Sequence, residues 1–322
     1  MALLEQVGRK MPGLRTYAVV PLSVTHGAIE WLPKTETAKR IVCAAAGVPD
    51  IGNLAGFKLR QRWTGAGKDW GKVFRMSRED VEAAHRAQAD ADPSLRFALT
   101  AYFRDRAATP EDFLGQRAVF AQSLAAVSVA TVLLGIGDRH LDNFLVQPDG
   151  TLTCIDFGYS FGFGVCLAVP ELIPCRLTPL FLNVLGPLNG IEERIAAGFA
   201  DVCQSKGALI DSAAIFLRDP PDIWARNPGW TASRAKAFAE RFAPFSPRAF
   251  LLADLRRVVA DARARGGRAT YVEELLADAS FGEVPLVAEP VSSFADQARA
   301  ICALAADWNV VGRAWNGLCL FI

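Results

Sequence analysis

The sequence predicts an α+β fold in which a few short strands lead into a mostly helical body. Two apolar runs near the start, residues 16–22 and 28–32, carry β-branched and aromatic side chains around a Ser-Val-Thr-His-Gly break and read as paired strands. Two more, 144–148 and 151–155, flank Asp149-Gly150, a pair that tolerates the positive φ angles of a type I′ hairpin turn. Helix start signals recur elsewhere: Thr109-Pro110-Glu111-Asp112, and later Ser293 with Asp296, fit capping boxes.

Taken in order, residues 37–46 read as a short helix, and 47–72, Gly-rich with Trp63 and Trp70, as irregular chain. Ser77 with Asp80 opens a helix toward Ala89. The box at Thr109 starts a long helix that runs to Leu134 and stops at Gly135. Further helices are expected at about 177–185, 191–203 and 247–265, then a loose stretch marked by Gly266-Gly267, Pro285 and Pro290, and a last helix at 292–306. With 322 residues, 51% hydrophobic and 21% charged, the chain can bury a large core in one or two domains.

Several function classes are disfavoured. The balance of 35 basic against 34 acidic residues gives no electrostatic case for direct nucleic-acid binding. Seven cysteines stand singly with no CxxC pair, which suits reduced thiols of the cytosol or nucleus. The most apolar stretch, 124–136, is 13 residues long, too short to span a bilayer, so no transmembrane segment is expected.

The most informative run is GIGDRHLDN at 135–143, followed by IDFG at 155–158. Asp138 precedes Asn143 by five residues and Asp156 follows thirteen later, a spacing that phosphoryl transfer uses for a proton acceptor and two metal ligands. Counting outward from a two-residue turn pairs Asn143 with Asp156; a type I turn begun by Pro148 with a bulge would slip that register by one. Either way, an amide oxygen and a carboxylate come within reach of one ion, the hard oxygen set that magnesium prefers beside ATP phosphates and water. Asp142 is set aside as the base on spacing, and Arg139 reads as structural.

GIGDRHLDNFLV followed by IDFG resembles the phosphatidylinositol 3-kinase-related protein kinases, where DRH stands for the HRD of ordinary protein kinases. YAVVPLSVTHGAIEWL at 17–32, VPELIPCRLT at 169–178 and GRAWNG at 312–317 extend the resemblance over nearly the full chain. It implies a protein-kinase-like fold of PI3K type: residues 1–34 a truncated N-lobe remnant and hinge, 35–270 the helical C-lobe with catalytic loop and activation segment, 271–290 a linker, and 291–322 the terminal FATC domain. The resemblance casts Asp138 as base, His140 over the γ-phosphate, and Asn143 and Asp156 as ligands of magnesium, or alternatively manganese. It also makes IEWL the hinge, with Trp31 stacking on adenine and the backbone of Glu30 and Leu32 addressing its edge. Thr37 then stands at the pocket mouth, and Leu145 and Ile155 form its floor. An indole face with paired backbone groups suits a nucleobase.

In the terminal domain, Trp308, Trp315, Leu318, Leu320 and Phe321 would form the buried or partner-facing side. Leu318 and Phe321 depart from the tryptophans usual there, so docking should survive while partner affinity alters. Tyr159 departs from a histidine.

The implied activity is transfer of the ATP γ-phosphate to serine or threonine of a protein substrate, in nuclear double-strand-break repair by non-homologous end joining. Here the chain would belong to a larger kinase with an N-lobe and helical repeats, reaching DNA only indirectly. A glycine-rich phosphate loop, strand lysine and partner glutamate are not found in the sequence, so the chain alone is expected not to be competent. A lipid kinase and an inactive binding module are the alternatives. Against the former, the activation segment 159–178 carries only Arg176 and Glu171, whereas phosphoinositide headgroups call for a basic cluster.

Overall fold

A computed structural model describes residues 11–23, 25–63, 71–167, 169–186, 190–218, 228–278, 281, 291–314 and 318–322. Strands β1 (Val19–Pro21) and β2 (Gly27–Ile29) pair antiparallel with Val19 opposite Ile29 and Pro21 opposite Gly27, shorter than the runs that predicted them. Pro21 has no N–H to carry the ladder further. A second antiparallel sheet has the order β3-β4-β5, from β3 (Glu36–Thr37), β4 (Phe144–Val146) and β5 (Leu152–Cys154).

The β4–β5 register is Phe144 to Cys154 and Leu145 to Thr153, so the direct pairing of Asn143 with Asp156 does not occur. Gly150 donates to the Gln147 carbonyl at 3.1 Å, and Gln147 donates to that of Thr151 at 2.9 Å. This is the bulged turn that Pro148 favours at its first central position. Gly150 takes φ +96, and a Cβ there would collide with the Gln116 carbonyl, so no other residue closes this turn without strain. The slip places Asn143 opposite Ile155, whose N–H donates to the Asn143 carbonyl at 3.1 Å.

Helix α1 (Ala38–Ala46) starts at Thr37, whose hydroxyl accepts the Arg40 N–H, and ends at Gly47 in the left-handed region. Helix α2 (Ala55–Trp63), behind a short turn at Ile51–Asn53, lies where irregular chain was expected. The glycine content misled: a Cβ on Gly56 would sit 2.6 Å from the Gln88 carbonyl oxygen and 2.7 Å from the Phe321 ring, so Gly56 serves a close approach inside a helix. Trp70 lies outside the described residues.

Then come α3 (Gly71–Phe74), α4 (Arg78–Ala91) capped by Ser77, α5 (Ala98–Arg104) and α6 (Pro110–Leu134). The α6 box is complete. Thr109 Oγ1 accepts the Asp112 N–H at 3.1 Å, and the Asp112 carboxylate accepts the Thr109 N–H at 3.2 Å. Thr109→Ala is expected to cost about 1 kcal/mol in urea unfolding; no loss would mean that packing alone holds this end.

Every α6 residue from 123 to 134 is buried, against α7 (Pro179–Leu185), α8 (Ile191–Cys203) and β5. The Ser123 hydroxyl lies 2.9 Å from the carbonyls of both Gly13 and Leu152 and accepts the Leu152 N–H at 3.0 Å, tying the hairpin to this helix. By length and composition α6 could cross a membrane, yet 78% of its most apolar window is buried inside the chain, as a core helix requires.

Helices α9 (Lys206–Arg218), α10 (Pro228–Glu240), α11 (Pro247–Ala264), α12 (Thr270–Ala277), α13 (Phe294–Ala306) and α14 (Trp308–Val311) complete the body. Of these, α9, α10, α12 and α14 were not predicted. Helix α12 occupies the first part of the expected linker, packed on α11 and α3; Pro285 and Pro290 lie outside the described residues.

A second hydrophobic cluster joins α11 and α12 to Leu318 and Leu320 of the tail. Buried Arg313 closes it, donating to the carbonyls of Val73, Phe74 and Met76 at 3.1 Å each and to Asp278 Oδ2 at 2.7 Å. The arginines around 256–268 stay at the surface: Arg263 and Arg268 pair with Glu273, and Arg257 with Asp254.

Candidate active site

Helix α6 leads into the loop 135–143 that carries Asp138. Gly135 ends it at φ +58, and the activation segment pairs back at once: Phe161 N–H donates to the Leu134 carbonyl at 2.7 Å, Gly162 to Gly135 at 2.8 Å, and Gly137 to Tyr159 at 2.6 Å. The loop and the segment after Asp156 therefore form one unit.

Arg139, 1% exposed, binds that unit together. Its guanidinium donates to the carbonyls of Gly137 (2.8 Å), Ile155 (2.9 Å) and Asp156. One buried cation thus holds the loop carrying Asp138 to the chain carrying Asp156. Both aspartates adopt φ +59, a left-handed conformation that aspartate tolerates better than most residues.

Buried Asn143 donates its side-chain N–H to the Asp138 carbonyl at 2.7 Å. With that nitrogen committed, the amide oxygen is the atom left for an ion. The exposed Asp156 carboxylate accepts the Gly158 N–H at 3.2 Å through one oxygen, leaving the other. An amide oxygen and a carboxylate oxygen are hard donors of the kind that magnesium takes beside phosphates and water; no group of three or more His, Cys, Asp or Glu stands among the described residues.

His140 Nδ1 accepts the Asp142 N–H at 3.2 Å, which places the ring proton on Nε2, 3.8 Å from Asp138 Oδ2. The Asp142 carboxylate pairs with Lys39 at 3.1 Å and accepts the Thr37 hydroxyl at 3.2 Å. That engagement sets it apart from Asp138.

In the segment expected to be the hinge, Trp31 is 85% exposed, whereas Leu32 is buried. Glu30 N–H donates to the Ala18 carbonyl at 2.9 Å, so among its backbone groups only the carbonyl can address a ligand. Thr37 lies opposite Leu145 in the sheet. By strand alternation Leu145 and Ile155 share the face that carries Asn143, while Phe144, Val146 and Leu152 on the other face are buried.

Three residues of this site were not singled out as functional from sequence: Lys39, Glu171 and Arg176. Arg176 is buried and donates to the Arg139 carbonyl at 3.3 Å, to that of Leu318, and to that of Cys319 at 2.9 Å. It ties the C-terminal tail to the catalytic loop. Leu318, Leu320 and Phe321 are all buried, and Trp308 takes the Arg86 guanidinium at 4.6 Å from its ring centre; Trp315 lies outside the described residues.

Glu171 accepts the N–H groups of Asp138 and, at 3.4 Å, Arg139. Burial pushes its carboxyl up to about 7, against the lowering effect of those N–H groups and of the Arg139 charge. The folded chain holds this proton more tightly than the unfolded chain does, so stability falls as pH rises from the ordinary carboxylate range through about 7. Urea unfolding followed from acid to mildly alkaline pH should show that slope in the parent and not in Glu171→Gln; parallel curves would contradict it.

A family model described as phosphatidylinositol 3- and 4-kinase matches residues 2–210. The DNA-dependent protein kinase catalytic subunit of Mus musculus is 30% identical, over 94% of this chain and 8% of that protein. Serine/threonine-protein kinase ATM of Arabidopsis thaliana is 28% identical, over 69% and 6%. Among solved structures, the FAT and kinase domain of CtTel1 matches with a TM-score of 0.62 at 18% identity, covering all of this chain and 20% of that one; a match at that identity speaks to the fold. The chain spans 8% or less of the length of these two curated relatives. With that fold, and with the loop carrying Asp138 held to the chain carrying Asp156, the chain belongs to the phosphatidylinositol 3- and 4-kinase family, and its relatives include the phosphatidylinositol 3-kinase-related protein kinases.

Proposed function

We propose that this chain is the catalytic part of a serine/threonine protein kinase that moves the γ-phosphoryl group of ATP onto protein hydroxyls. The observation that carries the reading is the Arg139 clamp, which holds the loop of Asp138 and Asn143 to Asp156 through the carbonyls of Gly137, Ile155 and Asp156.

In this reading Asp138 orients the incoming hydroxyl and accepts its proton. His140, protonated on Nε2, donates toward charge developing on the transferred group. Asn143 and Asp156 would hold magnesium, or manganese, which when bound neutralises charge on the phosphate oxygens. Trp31 would stack on the adenine, the Glu30 carbonyl and the Leu32 N–H would meet its edge, and Thr37, Leu145 and Ile155 would line the pocket.

Burial of the activation segment's charges favours a protein substrate. Its one acid, Glu171, and its one base, Arg176, are both turned inward, leaving no cationic side chain of that segment to meet a phosphoinositide. The names of the relatives, DNA-dependent protein kinase and serine/threonine-protein kinase, support a DNA-linked protein kinase role, which we read as nuclear double-strand-break repair by non-homologous end joining within a longer polypeptide that supplies the N-lobe and any DNA contact. Residues 291–322 we read as an FATC domain.

The test offers labelled ATP with a serine/threonine-glutamine peptide or with phosphoinositide vesicles, to this chain and to the longer polypeptide. Peptide labelling is the expected result, and lipid labelling in its place would contradict it.

A further inference from the structure

Asp138 stands at φ +59, a left-handed conformation that a non-glycine residue keeps only where its surroundings hold it there. Two bonds do so. Its carbonyl takes the Asn143 side-chain N–H at 2.7 Å, and its own N–H goes to Glu171 Oε2, while Oε1 takes the next N–H, of Arg139, at 3.4 Å. Both peptide groups of Asp138 are thereby pinned, which fixes the direction of its carboxylate.

The site is built around this carboxylate. Glu171 is itself fixed by its N–H to the Gly164 carbonyl at 3.1 Å. A Cβ on Gly137 would come 2.6 Å from Glu171 Oε2, and one on Gly164 3.0 Å from it. Two glycines therefore make room for one acid, 33 residues away from the aspartate it holds.

We propose that Glu171 is a positioning residue for phosphoryl transfer, holding the Asp138 backbone so that its carboxylate meets the incoming hydroxyl. This rests on the kinase reading above. Accepting an N–H on each oxygen favours the ionised carboxylate, because protonation turns one of the two oxygens into a hydroxyl, a weaker acceptor. The charged groups facing it are Asp138 and Arg139 from the catalytic loop and Arg176 from its own segment; Arg241 and Asp254 share with it a cavity of about 90 Å³. Burial holds the carboxyl near 7, so the grip on Asp138 loosens as pH falls through neutrality.

The test follows the backbone amide resonances of Asp138 and Arg139 with pH in this chain, for the parent, Glu171→Gln and Glu171→Asp, with turnover measured on the longer polypeptide carrying the same substitutions. In the parent the two amides should titrate together with a midpoint near 7. Glu171→Gln should abolish that titration and lower kcat on the order of tenfold or more, with KM for ATP nearly unchanged and the acidic limb of the kcat profile flattened. Glu171→Asp should keep the titration and recover part of kcat.

Amides that ignore pH in the parent, or Glu171→Gln with parental kcat, would overturn the proposal. Titrating amides in this chain with no turnover by the parental longer polypeptide would instead contradict the kinase reading and leave Glu171 a backbone role alone.

Discussion

Asp138→Asn lowers turnover about 10²–10⁴-fold and leaves the fold intact, the range expected when a positioned proton acceptor is removed. Asparagine keeps the shape of the side chain and accepts the left-handed φ of +59 that this position demands, so the loop need not rearrange. The side chain's recorded ionic neighbour is His140, 3.8 Å away, whereas the bonds that fix the loop run through the backbone of residue 138. Stability should therefore move little. Peptide turnover by the longer polypeptide, together with the thermal midpoint of this chain, checks this; a variant with parental turnover would remove Asp138 from the chemistry and leave Asp142, already engaged by Lys39, as the rival.

Arg139→Met is expected to destabilise the chain by about 3–5 kcal/mol, the range for removing one member of a buried, compensated charge set. Methionine replaces the apolar stem but donates nothing. The carbonyls of Gly137, Ile155 and Asp156 would lose their shared donor, and the buried Glu171 carboxylate would lose a compensating cation. Lysine should rescue little, since a point charge cannot reproduce a planar fork with several fixed donors. Adding Glu171→Gln to Arg139→Met should recover part of the loss, because the stranded charge disappears with it. Urea unfolding of the four proteins measures this coupling; additive losses would place Arg139 and Glu171 in separate networks.

What could be read from the sequence follows the range of the forces involved. Asp138, Asn143 and Asp156 lie within one loop and one hairpin, where spacing alone brings groups together. The α6 limits were legible because both of its ends carry local signals, the box at Thr109 and the left-handed Gly135. The hairpin register was legible only as a choice between two turns, and Pro148 with Gly150 decided it in favour of the bulge.

Helix α2 was missed because Gly56 looks like a breaker until its packing partners are known, whereas the Gly266-Gly267 pair does follow the end of α11 and drew the expected loose stretch on over α12. Glu171, Arg176 and Lys39 were invisible as site residues for a similar reason. Buried Glu171 and Arg176 meet backbone groups 33 and 142 positions away, at Asp138 and Leu318, and part-exposed Lys39 meets the Asp142 carboxylate 103 positions away, partners that no local pattern announces. Conversely, the exposed Trp31 could be named only through the family resemblance, since a lone tryptophan on a strand more often fills a core.

In the proposed reading, Asn143 and Asp156 hold one divalent ion together with a nucleotide. Manganese binding followed by electron paramagnetic resonance, with and without ATP, in the parent chain and in Asp156→Asn tests it without requiring turnover. An ion held only when ATP is present, and held at least about tenfold more weakly in Asp156→Asn, is the predicted result; equal binding by both proteins, or none that depends on nucleotide, would contradict it.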